Sequence, residues 1–114
     1  MLIKITTIND FMHYITKNHL VICYYSAKWC FPCKIMSTII ENLAEDNLNI
    51  KFLKIDVDDS SELVTKQCIT SMPTFEAYIN GRLSTIIKGA DKQKLYNTIE
   101  FLNDDDDSSD PSDF

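Results

Sequence analysis

The chain has 114 residues, 45% hydrophobic and 25% charged, which suits a single domain that buries its own core without disulfide staples. Its formal net charge is −6, but six acids stand in the terminal segment NDDDDSSDPSDF (Asp104 to Asp107, Asp110, Asp113), and the other 11 balance 11 basic residues. A neutral body has no basic surplus for nucleic acid or an anionic membrane, so neither is expected as a partner.

The first residues, MLIKITTINDF, hold no apolar run of signal-peptide length, and LVICYY is far too short to span a bilayer. A cytoplasmic, reducing location is the expectation, where four cysteines do not make a disulfide framework. LIKIT alternates apolar and polar residues as a half-buried strand does. Thr7 and Asp10, spaced as a capping box, introduce a short helix carrying Phe11, Met12 and Ile15. LVICYY reads as a strand covered on both faces.

Beyond it, Cys33, Met36, Ile40 and Leu43 recur at helical spacing, which predicts a helix to about Asp46. IKFLKID is a further strand, after which Asp59 and Glu62 read as a cap and its N3 partner ahead of Leu63 and Val64. TFEAYI and RLSTII are joined by Asn80-Gly81, a pair that tolerates the positive φ angles of a type I′ turn, so a hairpin is expected. Asp91 caps a last helix with Leu95, Ile99 and Leu102 on one face. The order β-α-β-α-β-α-β-β-α implies an α/β domain, residues 1–103, with a mixed sheet between helices. Residues 104–114 cannot bury enough apolar surface to fold and are expected to form a disordered, solubilising acidic tail.

The stretch KWCFPCK carries the chemistry. Two thiols three positions apart, Cys30 and Cys33, are a redox pair, half of a metal site, or a coincidence of spacing. If a helix begins at Cys30, its unpaired amides and positive dipole end stabilise a thiolate there, lowering the pKa below the free value of about 8.5. Pro32 suits a helix's first turn, where its missing N–H costs nothing. Cys33 is then close enough to attack a mixed disulfide formed at Cys30. A metal site built on such a pair needs a second ligand pair at characteristic spacing. Cys23, Cys68, His13 and His19 do not supply one, so neither metal nor bound cofactor is expected. Cys23 reads as a small buried hydrophobe, Cys68 as structural or neutral, and Lys28 and Lys34 as solvated charges that lend slight support to a thiolate.

WCFPCK resembles the active-site stretch of the thioredoxin family, usually Trp-Cys-Gly-Pro-Cys-Lys. KIDVDDSSEL, SMPTF and NGRLSTIIKGAD are similar, in order and spacing, to the family's third strand and acidic turn, its cis-proline segment, and its last hairpin and glycine loop. The likeness covers about residues 1–103. It implies a thioredoxin fold, with a central mixed five-stranded sheet flanked by four helices, and a protein-disulfide oxidoreductase. Cys30 would be the exposed attacking thiol, Cys33 the buried resolving thiol and Pro73 the cis-proline facing them. Trp29, Phe31, Pro32, Met72, Gly89 and Ala90 would border the substrate groove. Partners implied are disulfide-containing proteins and a thioredoxin-reductase-like, NADPH-dependent flavoprotein donor, with the chain itself a monomer.

Four positions depart from that pattern. Phe31 replaces the usual glycine and should add apolar surface beside Cys30. Tyr24 stands six residues before Cys30, where the family has a buried acid that helps deprotonate the resolving thiol, and Phe52 stands where many members carry a nearby lysine. A phenol with an ordinary pKa near 10 is a poor base at neutral pH. Slow resolution and a long-lived mixed disulfide are therefore expected. Thr38 replaces an internal helix proline, which predicts a straighter helix. A thioredoxin-fold binding or assembly module with slow or idle cysteines is the alternative reading. A glutaredoxin-like enzyme is a weaker one, because its intervening pair is Pro-Tyr and no tryptophan precedes its first cysteine.

Overall fold

The computed structural model describes residues 1–108, with side chains placed through Asp104. Alternating and helical hydrophobic periods resolve into β1 (Leu2–Lys4), α1 (Ile8–Lys17), β2 (Leu20–Ser26), α2 (Phe31–Asp46), β3 (Lys51–Asp56), α3 (Ser61–Lys66), β4 (Thr74–Ile79), β5 (Arg82–Lys88) and α4 (Lys92–Ser108). The sheet order is β1-β3-β2-β4-β5. β1, β3 and β2 run parallel, while β4 and β5 are antiparallel additions. This is the mixed five-stranded sheet with four helices that the sequence implies.

β2 occupies the centre, and all seven of its residues are buried. Successive side chains point to opposite faces. Leu20, Ile22 and Tyr24 pack with Met36 and Ile40 of α2 and with Leu95, Ile99 and Leu102 of α4. Val21, Cys23 and Tyr25 pack with Phe11 and Ile15 of α1 and Leu63 of α3. Each large apolar side chain withdrawn from water contributes about 1.5–3 kcal/mol, so two cores, one per face, clamp the strand.

Local signals account for most boundaries. Thr7 caps α1, its side-chain oxygen accepting from the Asp10 amide at 3.1 Å. Asp91 caps α4 by accepting from the Lys94 amide at 3.0 Å. Asn80 and Gly81 take φ values of 51° and 79° and close the β4–β5 hairpin as expected.

Met12, carried by α1, is exposed, because it lies one position round the helix from the buried Phe11 and Ile15 stripe. Two expectations need correction. The cap of α3 is Ser60 rather than Asp59. Asp56 Oδ1 accepts from the amides of Asp58 and Asp59, at 2.9 and 3.1 Å, and folds the acidic turn one residue tighter. Ser60 Oγ then donates to the Ile5 carbonyl at 3.0 Å, and Asp59 pairs with Lys4 at 3.4 Å. Finally, α4 runs past residue 103 to Ser108. Aspartate is a poor helix former and disfavours a helix's negative end, which argued for an earlier stop. No glycine or proline stands between Asp91 and Pro111 to enforce that stop. The rest of the expected disordered tail, 109–114, lies outside the described residues.

Candidate active site

The site forms at the C-terminal end of β2, where open α/β sheets present reactive groups. β2 ends at Ser26, and a short turn in which the Cys30 amide donates to the Ala27 carbonyl (3.2 Å) delivers the chain to α2. Cys30 is the N-cap of α2, with extended backbone, and its Sγ accepts from the Cys33 amide at 3.3 Å. Pro32 lies in the first turn, and no acidic side chain stands there to oppose a thiolate. Helix amides and the dipole therefore converge on one sulfur, as the thiolate chemistry requires.

Cys30 and Cys33 are joined as a disulfide, their Cα atoms 5.3 Å apart. The expected exposed attacking thiol is not exposed in this oxidised state. Cys30 is 5% accessible and Cys33 2%. The Cys30 sulfur, bonded to Cys33, lies at the helix's first turn, where Ala27, Val57 and Met72 pack around the pair. The neighbours make the accessible rim: Trp29 is 66% exposed, Phe31 71%, and Pro32 is exposed as well. Trp29 is held in place by its Nε1–H, which donates to Asp58 Oδ2 at 3.0 Å.

The opposite wall comes from the loop before β4. The Met72–Pro73 peptide is cis, Met72 is half-buried against the cysteine pair, and Pro73 is buried. The Pro73 carbonyl accepts from the Gly89 amide at 2.8 Å, which brings the β5–α4 loop alongside. Gly89 has φ +92°, a conformation that side chains rarely adopt, so glycine is required there. Ala90 is exposed beside it. The structure thus gathers Trp29, Cys30, Phe31, Pro32, Cys33, Met72 and Pro73, with Gly89 tied on through one backbone bond and Ala90 adjacent in chain.

Tyr24 lies buried below Cys33. Its hydroxyl donates to the Cys33 carbonyl at 2.7 Å and lies 3.2 Å from Ser37 Oγ, which itself donates to that carbonyl at 2.9 Å. Burial pushes the phenol's pKa up, and Glu41 adds to the rise, while Ser37 and Ser26 draw it back. It is a structural strut with a firmly held proton. Phe52 is buried in the same core. Lys28 and Lys34 are exposed.

Several residues escaped the sequence reading. Asp58 positions the tryptophan, and Asp56 and Lys54 line a cavity beside Cys33. On the other face, Glu76 is 2% exposed and accepts from the hydroxyls of Tyr25 (2.6 Å) and Tyr78 (3.2 Å). An acid at an inward position of TFEAYI was the available signal. Cys23 faces Glu76 across the strands, and burial first, then Glu76, pushes its thiol pKa well above the ordinary value. It is not a nucleophile. Cys68 is exposed and free at the end of α3. Among the described residues, no three His, Cys, Asp or Glu side chains cluster as metal ligands would, and no helix is long and apolar enough to cross a membrane.

Comparison with known proteins agrees with this geometry. The sequence model of the thioredoxin family matches residues 2–101. The chain is 39% identical over 100 residues to Thioredoxin 1 of Plasmodium falciparum, covering 87% of this chain and 96% of that protein. It is also 39% identical over 83 residues to Gallus gallus thioredoxin, covering 73% and 79%. Among solved structures, Plasmodium falciparum thioredoxin superposes with a TM-score of 0.82 at 38% identity, covering 86% of this chain and 96% of that one. Mitochondrial thioredoxin 3 of Saccharomyces cerevisiae, in its oxidised form, gives 0.83 at 31%, covering 87% and 93%. A helix-capping cysteine bonded to its partner one turn on, in a fold shared with these proteins, leads to one conclusion: the chain belongs to the thioredoxin family and is a protein thiol–disulfide oxidoreductase.

Proposed function

We propose that the chain reduces or exchanges exposed disulfides of other proteins in the cytoplasm, working as a monomer recharged by a flavoprotein reductase of the thioredoxin-reductase type. The observation that carries this reading is the placement of Cys30 at the N-cap of α2, bonded to Cys33. Cys30 attacks a substrate sulfur, a mixed disulfide forms, and Cys33 displaces the substrate as the intramolecular bond closes. Trp29, Phe31, Pro32, Met72, Pro73, Gly89 and Ala90 form the receiving groove. Phe31 and Trp29, both exposed, favour targets with apolar residues beside their disulfide. No bound cofactor is invoked, because the cysteine pair carries the electrons. The working domain includes the family match over 2–101 and the rest of α4 to Ser108, and its acidic end keeps it soluble.

Trapping tests the reading. A Cys33→Ser chain is expected to hold substrate proteins as dithiothreitol-releasable adducts, and Cys30→Ser to hold none. Equal capture by the two variants would overturn it. An equilibrium titration of the pair against glutathione then gives the direction of exchange.

A further inference from the structure

Resolution requires that Cys33 lose a proton, and Tyr24 cannot take it. Its hydroxyl is committed as donor to the Cys33 carbonyl, and burial raises its pKa despite the opposing hydrogen bonds of Ser37 and Ser26. The structure offers another base. Beside Cys33, between α2 and the β1–β3 edge of the sheet, lies a cavity of about 340 Å³ lined by Cys33, Ser26, Ser37, Lys54 and Asp56. Ser26, Ser37, Lys54 and Asp56 offer hydrogen-bond partners on its wall, and a space of this size accommodates several water molecules at about 30 Å³ each.

Asp56 is well placed within it. It ends β3 directly opposite Ser26 of β2, and the next residue, Val57, packs against the cysteine pair. Its side chain is 7% exposed, and the Asp58 and Asp59 amides both bond Oδ1, which fixes the carboxylate's orientation. The other charged groups around the cavity are Lys4 on β1, Lys28 before α2, Lys34 on α2, Lys54 on β3 and Asp59. Cations outnumber acids there, and that field favours a thiolate at Cys33.

We propose that Asp56 is the proton acceptor for Cys33 during resolution, acting through water in this cavity. The assignment rests on the exchange chemistry of Cys30 and Cys33. The Asp56 carboxylate takes the Cys33 proton, and the Cys33 thiolate attacks the Cys30 sulfur. The Cys30–Cys33 bond forms as the Cys30–substrate bond breaks. The substrate sulfur departs with the electron pair and is protonated from solvent, and Asp56 returns its proton to solvent. The dithiol is oxidised by two electrons and the substrate disulfide is reduced by two.

The disulfide of thionitrobenzoate separates the two steps. Attack by Cys30 releases the first coloured thiolate, and resolution by Cys33 releases the second. In Asp56→Asn, which keeps an amide-accepting oxygen, the first phase is expected unchanged. The second should slow about 10²-fold at neutral pH, the low end for a positioned base. That deficit should close as pH rises and hydroxide replaces the base. An unchanged second phase, or slowing by one factor at every pH, overturns the assignment. Loss of the first phase in the unaltered chain overturns the exchange chemistry itself. A second variant keeps the test independent of the amide. Asp56→Glu retains a carboxylate and should recover most of the second-phase rate, with its pH dependence restored. Slowing equal to that of Asp56→Asn would contradict the proposal.

Discussion

Tyr24 and Tyr25 are chain neighbours on the central strand, both fully buried, yet they serve opposite faces of the sheet. On the α2 face, Tyr24 stacks on Phe75 with ring centroids 5.0 Å apart and gives its hydroxyl hydrogen to the backbone of the redox helix. On the α1 and α3 face, Tyr25 gives its hydrogen to Glu76, a buried carboxyl that also receives Tyr78. One hydroxyl supports a neutral carbonyl that has a second donor in Ser37. The other solvates an acid that has lost water. The same residue type is thus a spare strut on one face and a necessary ligand on the other, because a neutral acceptor tolerates a lost donor better than a buried charge does.

Breaking the stack gives the largest effect. Phe75→Ala removes a buried aromatic partner and should cost about 3–5 kcal/mol by denaturant unfolding. Removing single hydroxyls separates the faces. Tyr25→Phe should cost about 2 kcal/mol, and Tyr24→Phe about 1 kcal/mol with unchanged exchange kinetics. Equal costs would erase the distinction drawn here. A kinetic loss in Tyr24→Phe would mean that the phenol handles the Cys33 proton after all.

The pH dependence sharpens the comparison. Burial holds the Glu76 carboxyl above its ordinary value of 4.5, against the pull of the Tyr25, Tyr78 and Gln67 donors. Between 4.5 and the native value the unfolded chain ionises while the native chain keeps its proton, so stability falls as pH rises through that window and levels off above it. Glu76→Gln keeps an acceptor for the tyrosines and should flatten this decline in melting temperature. A decline that persisted would place its origin elsewhere. The smallest stability effect belongs to Phe31→Gly, since the ring is exposed. Its melting point should hardly move, whereas KM for protein disulfides should change with kcat preserved.

The frame of the molecule was legible because its signals are local. Asn80-Gly81, Thr7, Asp91 and the apolar run of β2 each set their element by short-range physics. The cysteine pair was equally visible, since strand, CxxC and helix follow one another in chain. What could not be read depends on register between distant strands. Glu76 meets Tyr25 and Cys23 only because β4 pairs antiparallel with β2, and Asp56 shares a cavity with Cys33 only because β3 ends level with β2. The burial of Cys30 was also hidden, because Val57 and Met72, which pack around the pair, are distant from it in the chain.

The most direct test of the account is turnover of a protein disulfide with dithiothreitol as electron source, comparing the unaltered chain with Cys30→Ser. The account predicts catalysis by the unaltered chain and a rate for Cys30→Ser no higher than dithiothreitol alone. Equal rates for both chains would contradict it.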